Sequence, residues 1–158
     1  FYRVRRGTAW QDAFYGLMEI AKRDELKFDV VLDLLHQETN RYEASFASKL
    51  IATINPSMPV IDSIVLKNLG LRLPHSTAIN RLERICEIYQ NLTALFEKFL
   101  NTEDGKYLVA KFKSKYPNAD ITEVKMVDLV LWQLREQPTQ QSILMLPTKG
   151  VHPQSPTH

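Results

Sequence analysis

Apolar residues recur along most of the chain at spacings of three and four, which is the period of a helix with one buried face. The first such stretch predicts a helix over Thr8–Asp24, with Thr8 and Gln11 forming a capping box at its start. The apolar stripe of this helix consists of Trp10, Ala13, Phe14, Leu17 and Ala21.

Two further helices follow at short intervals. Asp29 is the expected cap of a helix that continues to about Glu38, and the next helix is expected over residues 42–54. That helix must end at Asn55, because the residue before a proline, here Pro56, is sterically excluded from the helical region.

The middle of the chain predicts a short helix and then the longest one. Residues 61–69 form the short helix, and Gly70 is suited to the left-handed position that follows a helix end. The long helix is expected to be capped by Ser76 or Thr77 and to reach about Leu100. Its apolar positions are Ala78, Leu82, Ile85, Tyr89, Leu92, Phe96 and Phe99.

The remaining helices are a short one after Gly105 and a last one capped by Asp120. Because the apolar residues follow the helical period and nowhere alternate, the sequence predicts an all-α fold without strands. The stripe of the last helix consists of Ile121, Val124, Val127 (or Asp128), Leu131 and Leu134.

After Glu136 the composition changes to a polar stretch with four prolines. Such a composition favours an extended arm over a packed core. The predicted organisation is therefore a helical domain over residues 1–136 and an extended or flexible tail over residues 137–158. An apolar island from Ile143 to Leu146 is expected to dock on the helical body or on a protein partner.

Composition narrows the class of protein further. The chain has 158 residues, 44% hydrophobic and 24% charged, which suits one globular domain. Its formal net charge of +2 permits an acidic partner without requiring one. The single cysteine, Cys86, cannot form an internal disulfide or a four-cysteine metal site, and a reducing, cytoplasmic location is expected. No apolar run reaches the roughly 20 residues that span a bilayer, so no membrane partner is expected.

Several kinds of catalytic site are absent from the sequence. It contains no glycine-rich nucleotide loop and no nucleophile elbow, and its four histidines lack metal-ligand spacing. The candidate that remains is Asp62, an acid with apolar neighbours at the start of a short helix. One interpretation is a helix cap. The other is a catalytic carboxylate, which could stabilise the positive charge that develops on a sugar when an N-glycosidic bond breaks.

Lys49 lies thirteen residues before Asp62 (62 − 49 = 13). An amine in such a site can attack the sugar and form a Schiff base. The alternative for Lys49 is a solvated lysine on the flank of a helix. A flipped base would also need aromatic or apolar walls, and the candidates are Tyr42, Phe46 and Trp132, although Trp132 is also compatible with plain core packing.

The segment PVIDSIVLKNLGL, residues 59–71, resembles the surroundings of the catalytic aspartate in helix-hairpin-helix DNA glycosylases, the endonuclease III superfamily. In that family an aspartate follows an apolar residue, and a basic residue and a Leu-Gly ending follow it. Upstream, FASKLIATI resembles the family helix that carries a lysine in members with lyase activity, and Lys49 is the matching position. Downstream, VDLVLWQLRE resembles a later helix that packs beside the site.

The resemblance implies an orthogonal multi-helix bundle that binds DNA, with Asp62 and Lys49 as catalytic groups and with base excision as the activity. It implies neither a metal nor another cofactor. The residues expected to meet the phosphate backbone are Ser48, Lys49, Ser63 and Lys67.

The chain departs from the family at the hairpin. Family hairpins carry glycines that let backbone N–H groups approach a phosphate, whereas the corresponding stretch here, RYEASFAS, has none. The gap between Lys49 and Asp62 is also shorter than in the family. This degenerate hairpin keeps an alternative open, in which the chain is a non-enzymatic helical module for protein interactions. Lysines and aromatic residues between Lys106 and Tyr116 likewise predict either a second phosphate-binding face or an ordinary amphipathic helix.

Overall fold

The all-α prediction is confirmed in the part of the chain that the structure describes. The computed structural model describes residues 7–134, which form seven α-helices and no strand. The predicted tail over residues 137–158 and its apolar island lie outside this range, as do residues 1–6 and 135–136. The helices are α1 (Thr8–Asp24), α2 (Phe28–Thr39), α3 (Ala44–Ile54), α4 (Ser63–Asn68), α5 (Arg81–Leu100), α6 (Glu103–Lys115) and α7 (Glu123–Gln133).

The helices pack in two groups that meet along α2 and α5. In the first group α1, α2 and α3 contact one another, and in the second α5, α6 and α7 do so. The short α4 packs on α7. The joint between the groups includes Phe28 of α2 and Tyr89 of α5, whose rings stack with their centroids 3.9 Å apart.

The core follows the predicted stripes on α1 and α5 but only in part on α7, where Met126, Val127 and Asp128 are buried and the predicted Leu134 is exposed. Phe14, Leu17 and Ala21 are the buried residues of α1, as the stripe of that helix predicts. On α5 the predicted stripe supplies Ile85, Tyr89, Leu92 and Phe96, all buried. Helix α6 differs, because none of its residues is among the buried members of the main core cluster and only Leu108 packs partly against it. One side of α6 is consequently left open.

The predicted bounds of α1 are confirmed, but several predicted helix caps or starts differ from the structure by one to four residues. Gly7, and not Thr8, is the N-cap of α1, so the predicted capping box is absent. Lys27 occupies the N-cap of α2, and Asp29 lies within the first turn, where its charge still complements the helix dipole. Glu43 precedes α3, which begins two residues later than predicted.

The start of α5 shows the largest displacement. The N-cap is Asn80, in a left-handed conformation with φ 53°, and not Ser76 or Thr77, the predicted caps. At α7 the cap is Thr122, whose side chain accepts the Lys125 N–H, and not Asp120. A hydroxyl at the residue immediately before the first turn satisfies a backbone N–H that Asp120, two residues earlier, does not.

The predicted ends of α3 and α4 agree with the structure better than the predicted caps do. Helix α3 ends at Ile54, and Asn55 is extended with φ −122°, as expected before Pro56. Gly70 has φ +68°, and the Gly70 and Leu71 N–H groups donate to Lys67 O and Leu66 O. These are the two bonds of a Schellman motif, so the left-handed role predicted for Gly70 is confirmed.

Helix α6 begins before Gly105, not after it, because Thr102 caps the helix by accepting the Gly105 N–H. A Cβ at position 105 would collide with the backbone carbonyl of Phe99. Gly105 therefore permits the close turn from α5 into α6.

Candidate functional site

The connection from α3 to α4, residues 55–62, makes a turn over residues 55–58 and carries Asp62 at its end. Side chains from α3, from α5 and from the N-cap of α7 hold this segment. The Ser48 Oγ accepts the Ile61 N–H at 2.8 Å, the Tyr89 hydroxyl donates to Pro59 O at 3.1 Å, and the Thr122 hydroxyl donates to Pro56 O at 2.6 Å. The bonds at Ile61 and Pro59 satisfy buried backbone groups, and the bond at Pro56 is exposed.

Asp62 is the N-cap of α4, which confirms the cap interpretation as far as geometry is concerned. It is extended, with φ −125° and ψ 143°, and its Oδ1 accepts the Ile64 N–H at 2.8 Å. Among the described residues no hydrogen bond to Oδ2 is present. The side chain is half-buried, so one carboxylate oxygen is committed to the helix and the other remains available to a ligand.

Asp62 lines a cleft of about 640 Å³. Two more residues of the cleft were predicted to meet DNA, namely Ser63 and Lys67, and both are exposed. Ser45, from the first turn of α3, and Arg72, which follows α4, complete its polar lining. The cleft thus brings one carboxylate together with two cationic side chains and two hydroxyl groups, over an apolar floor of Ile61, Leu66, Leu71 and Leu73.

Lys49 does not line this cleft. Its Nζ lies over the Phe46 ring at 5.3 Å from the centroid. Lys49 and Asp62 are both close enough to Asp128 to act on its titration, the lysine lowering the pKa of Asp128 and the aspartate raising it. Both predicted catalytic groups therefore influence Asp128, but only Asp62 lines the cleft.

Asp128 is a buried carboxylate on α7 with only 6% of its surface exposed. Its Oδ2 accepts a hydrogen bond from Lys125 Nζ at 2.6 Å. Burial raises the pKa of Asp128 above its ordinary value, since desolvation opposes ionisation more strongly than Lys125 favours it. Asp128 therefore holds its proton more tightly than an exposed aspartate does, and it is near enough to Asp62 for the two charges to interact.

Ser48 is fully buried, in contrast to the expectation that it meets DNA. Its hydroxyl donates to Ser45 O at 3.0 Å and accepts from Ile61, so both of its hydrogen-bonding roles are used inside the protein. The family resemblance implied a phosphate contact for Ser48, but its side chain faces the 55–62 segment. Its role is to hold that segment and not to contact a phosphate.

The three residues predicted to line a base pocket lie elsewhere. Tyr42 stacks on His36 with ring centroids 3.9 Å apart, and Phe46 contacts Trp10 edge-on at 4.5 Å. Trp132 is 42% exposed, near the end of α7. None of the three lines the Asp62 cleft. Tyr42 and Phe46 instead belong to packing between the first three helices.

The residues that sequence reasoning missed are Ser45, Arg72 and Asp128. Ser45 carried a signal, because it lies at the start of the helix after the hairpin, where N–H groups face outward. Arg72 follows the Schellman turn at Gly70, which folds the chain back beside α4. Asp128 was noted only as an alternative stripe position, and its burial with Lys125 depends on how α7 packs.

The lysine and aromatic stretch on α6 is divided between two roles. Lys106 and Lys113 form ion pairs with Glu103 at 2.9 Å and with Glu123 at 2.8 Å. Lys111 and Lys115 lie over the rings of Tyr107 and Tyr116, each at 5.5 Å from the centroid. Two of the four lysines are therefore paired with acids and two with aromatic faces.

Comparison with known proteins identifies no family for this chain: no protein-family model, no curated protein and no solved structure matches it. Among the helices of residues 7–134, none combines the length and apolar character required to cross a membrane.

Proposed function

We propose that the chain is a DNA-binding protein of the base-excision type, which hydrolyses the N-glycosidic bond of a damaged base with Asp62 as its catalytic carboxylate. The observation that carries the proposal is the cleft in which Asp62 lies with Lys67 and Arg72. A carboxylate stabilises the cationic sugar of such a reaction, and the two cations suit the phosphates on either side of that sugar.

The reaction needs no group beyond water and these side chains. As the bond between C1′ and the base nitrogen breaks, the electron pair leaves with the base and positive charge develops on the sugar. The Asp62 carboxylate stabilises that charge, and the oxygen of a water molecule then bonds to C1′. The proton released by water passes to the departing base, directly or by way of the Asp62 carboxylate, so the products are the neutral free base, an abasic site and the ionised Asp62.

Hydrolysis is favoured over Schiff-base chemistry by the position of Lys49. An amine that attacks C1′ must reach the same sugar whose positive charge the carboxylate stabilises. Lys49 lies over the Phe46 ring and outside the cleft. We therefore retain Asp62 as the catalytic group and assign Lys49 no covalent step.

The connection between α2 and α3 begins at Asn40, the C-cap of α2, which is left-handed with φ 54°. Asparagine tolerates this conformation because its short polar side chain can satisfy nearby backbone groups. Phosphate contacts are assigned to Ser63, Lys67 and Arg72, with Ser45 at the start of α3.

The experiment that tests the activity is a panel of short duplexes, each with one damaged or mismatched base, incubated with the full chain and scored for abasic sites. Cleavage of the N-glycosidic bond in at least one duplex is the expected result. A panel without any abasic product, at protein concentrations that saturate binding, would remove the enzymatic part of the proposal.

DNA binding is tested separately by its dependence on salt. Each phosphate contact that is lost should reduce the slope of log affinity against log salt by about 1. Lys67→Ala with Arg72→Ala should therefore flatten the slope by about 2. Lys22→Ala with Arg23→Ala makes the same change of charge on α1 and should leave the slope unaltered.

The second candidate function is a helical module for protein interactions that performs no chemistry. The position of the aromatic candidates favours it, because neither Tyr42 nor Phe46 lines the Asp62 cleft. Under this alternative the full chain binds neither intact nor damaged duplex at low salt. The salt titration described above therefore separates the two functions.

A further inference from the structure

An open groove of about 1090 Å³ lies between helices α6 and α7. It shares no lining residue with the Asp62 cleft. The groove is largely apolar, with Phe99, Leu108, Phe112, Ile121, Leu129 and Val130 along its length. Three of its residues are among the most exposed large apolar side chains in the described part of the chain: Tyr107 at 63%, Leu134 at 56% and Tyr116 at 47%. A concave apolar surface of this kind indicates a docking site.

The C-terminal end of the described chain lies in this groove. Leu134 lines the groove and is also the last described residue. Only eight residues, 135–142, separate Leu134 from the apolar island Ile143, Leu144, Met145 and Leu146. This island is the one run of four apolar residues in the sequence after residue 134.

We propose that the segment Ile143–Leu146 of the same chain docks in the α6–α7 groove. The inference does not depend on the DNA-binding proposal, because it concerns other residues and a different interaction. The occupant is chosen by connectivity and by the match between an apolar groove and an apolar segment.

The connecting residues are long enough for this docking. Nine residue steps extend to about 30 Å at most, and a flexible linker of that length has an average span of roughly 17 Å. Helix α6 has 13 residues and is about 20 Å long, so the segment can lie anywhere along the groove. A short linker also holds the segment at an effective concentration on the order of millimolar. A separate molecule with the same affinity would have to be present at a similar concentration to fill the groove equally.

Charge distinguishes this occupant from a nucleic acid. The rim carries Lys111 and Lys115, which would attract phosphates, whereas the chain after residue 134 has a single acid, Glu136. Docking of the segment is thus driven by burial of apolar surface and should be almost insensitive to salt. Docking of DNA on the same face would weaken steeply as salt increases.

The test uses the full chain with a spin label on Ser142→Cys, in a Cys86→Ser background so that the label has one attachment point. Paramagnetic broadening is measured at the methyl groups of Leu108, Leu129 and Val130. We expect these methyl signals to lose most of their intensity, at low and high salt alike, while methyl signals from α1 are retained. Leu144→Asp with Leu146→Asp should restore the groove signals.

Matched controls make the result decisive. Gln140→Asp with Gln141→Asp adds the same charge to the linker and should leave the broadening in place. Mixing spin-labelled chain with isotope-labelled, unmodified chain should give no groove broadening. Broadening in that mixture would show that a second copy fills the groove, and the proposal would be wrong. Absence of groove broadening, or its equal loss in both double variants, would also overturn it.

Discussion

The Asp62 cleft and the α6–α7 groove differ in both size and chemistry. The cleft occupies about 640 Å³ and contains a carboxylate and two cations, whereas the groove occupies about 1090 Å³ and is largely apolar. Their supports differ as well. Side-chain hydrogen bonds from α3, α5 and the N-cap of α7 hold the segment that carries Asp62, while α6 contributes no buried residue to the main core cluster.

This difference teaches which region suits chemistry and which suits docking. A catalytic group must be held within a fraction of an ångström, and fixed hydrogen bonds to buried backbone achieve that. A docking surface needs area and shape, and it tolerates a less rigid support. Helix α5 serves both regions, since Tyr89 contacts the 55–62 segment and Phe99 lines the groove.

The largest effect is expected from removing the charge in the cleft. Asp62→Asn keeps the shape and much of the cap, since Asn is also a good N-cap, but it cannot stabilise a cationic sugar. Base excision should fall by about 10²- to 10⁴-fold in single-turnover assays. Unfolding in urea and DNA affinity should change little.

The controls for this variant separate catalysis from capping. Asp62→Ala should lose about 0.5–2 kcal/mol of stability because the Ile64 N–H loses its acceptor. Asp120→Asn removes an exposed acid outside the cleft and should leave excision unaltered. An Asp62→Asn protein as active as the parent would show that Asp62 is only a cap.

The next largest effect is expected in α5, between the two regions. Leu92 is fully buried, and Leu92→Ala should reduce the free energy of unfolding by about 2–5 kcal/mol by leaving a cavity. Leu95, on the same helix, is 39% exposed, so Leu95→Ala should cost only about 0.5 kcal/mol. Equal costs in urea titrations would mean that α5 does not support the core in the way described.

The fold was more predictable than the exact helix boundaries. Apolar periodicity gave all seven helices, and steric rules placed the end of α3 before Pro56 and the turn at Gly70. The starts were less predictable, because candidate caps at Thr8, Asp29 and Asp120 had competing neighbours. The N-caps in the structure are Gly7, Lys27 and Thr122, and α5 begins only after the left-handed Asn80.

The candidate site was only partly predictable for a related reason. Local sequence indicated Asp62 as a cap, with Ser63 and Lys67 beside it, because these residues share one short helix. The sequence could not show that Ser48 turns inward or that Phe46 contacts Trp10. Nor could it show that Arg72 and Ser45 reach the same cleft. Such contacts depend on long-range packing, which spacing along the chain does not determine.

A smaller effect is expected from one of the bonds that hold the 55–62 segment. Tyr89→Phe keeps the ring stacked on Phe28 but removes the hydroxyl that donates to Pro59 O. The loss should be about 0.5–1.5 kcal/mol in urea unfolding. Tyr107→Phe, in the groove, removes an exposed hydroxyl and should be nearly silent. A silent Tyr89→Phe would mean that this bond contributes little to the support of the cleft.

The smallest and most specific effect concerns Asp128, next to the cleft. Because burial raises its pKa, the native chain binds this proton more tightly than the unfolded chain. The contribution of Asp128 to stability is therefore greatest below the ordinary aspartate pKa of about 3.9 and is lost as pH rises through the raised native pKa.

Asp128→Asn removes this titration, so the stability of the parent minus that of the variant should decrease with rising pH. Urea unfolding at a series of pH values measures the difference, and other carboxylates cancel in it. The exposed Asp120→Asn variant should give a difference that is flat with pH. An Asp128 difference that increases with pH would mean that the ion pair with Lys125 outweighs burial, and that Asp128 is held as a charged group beside Asp62 and Lys49.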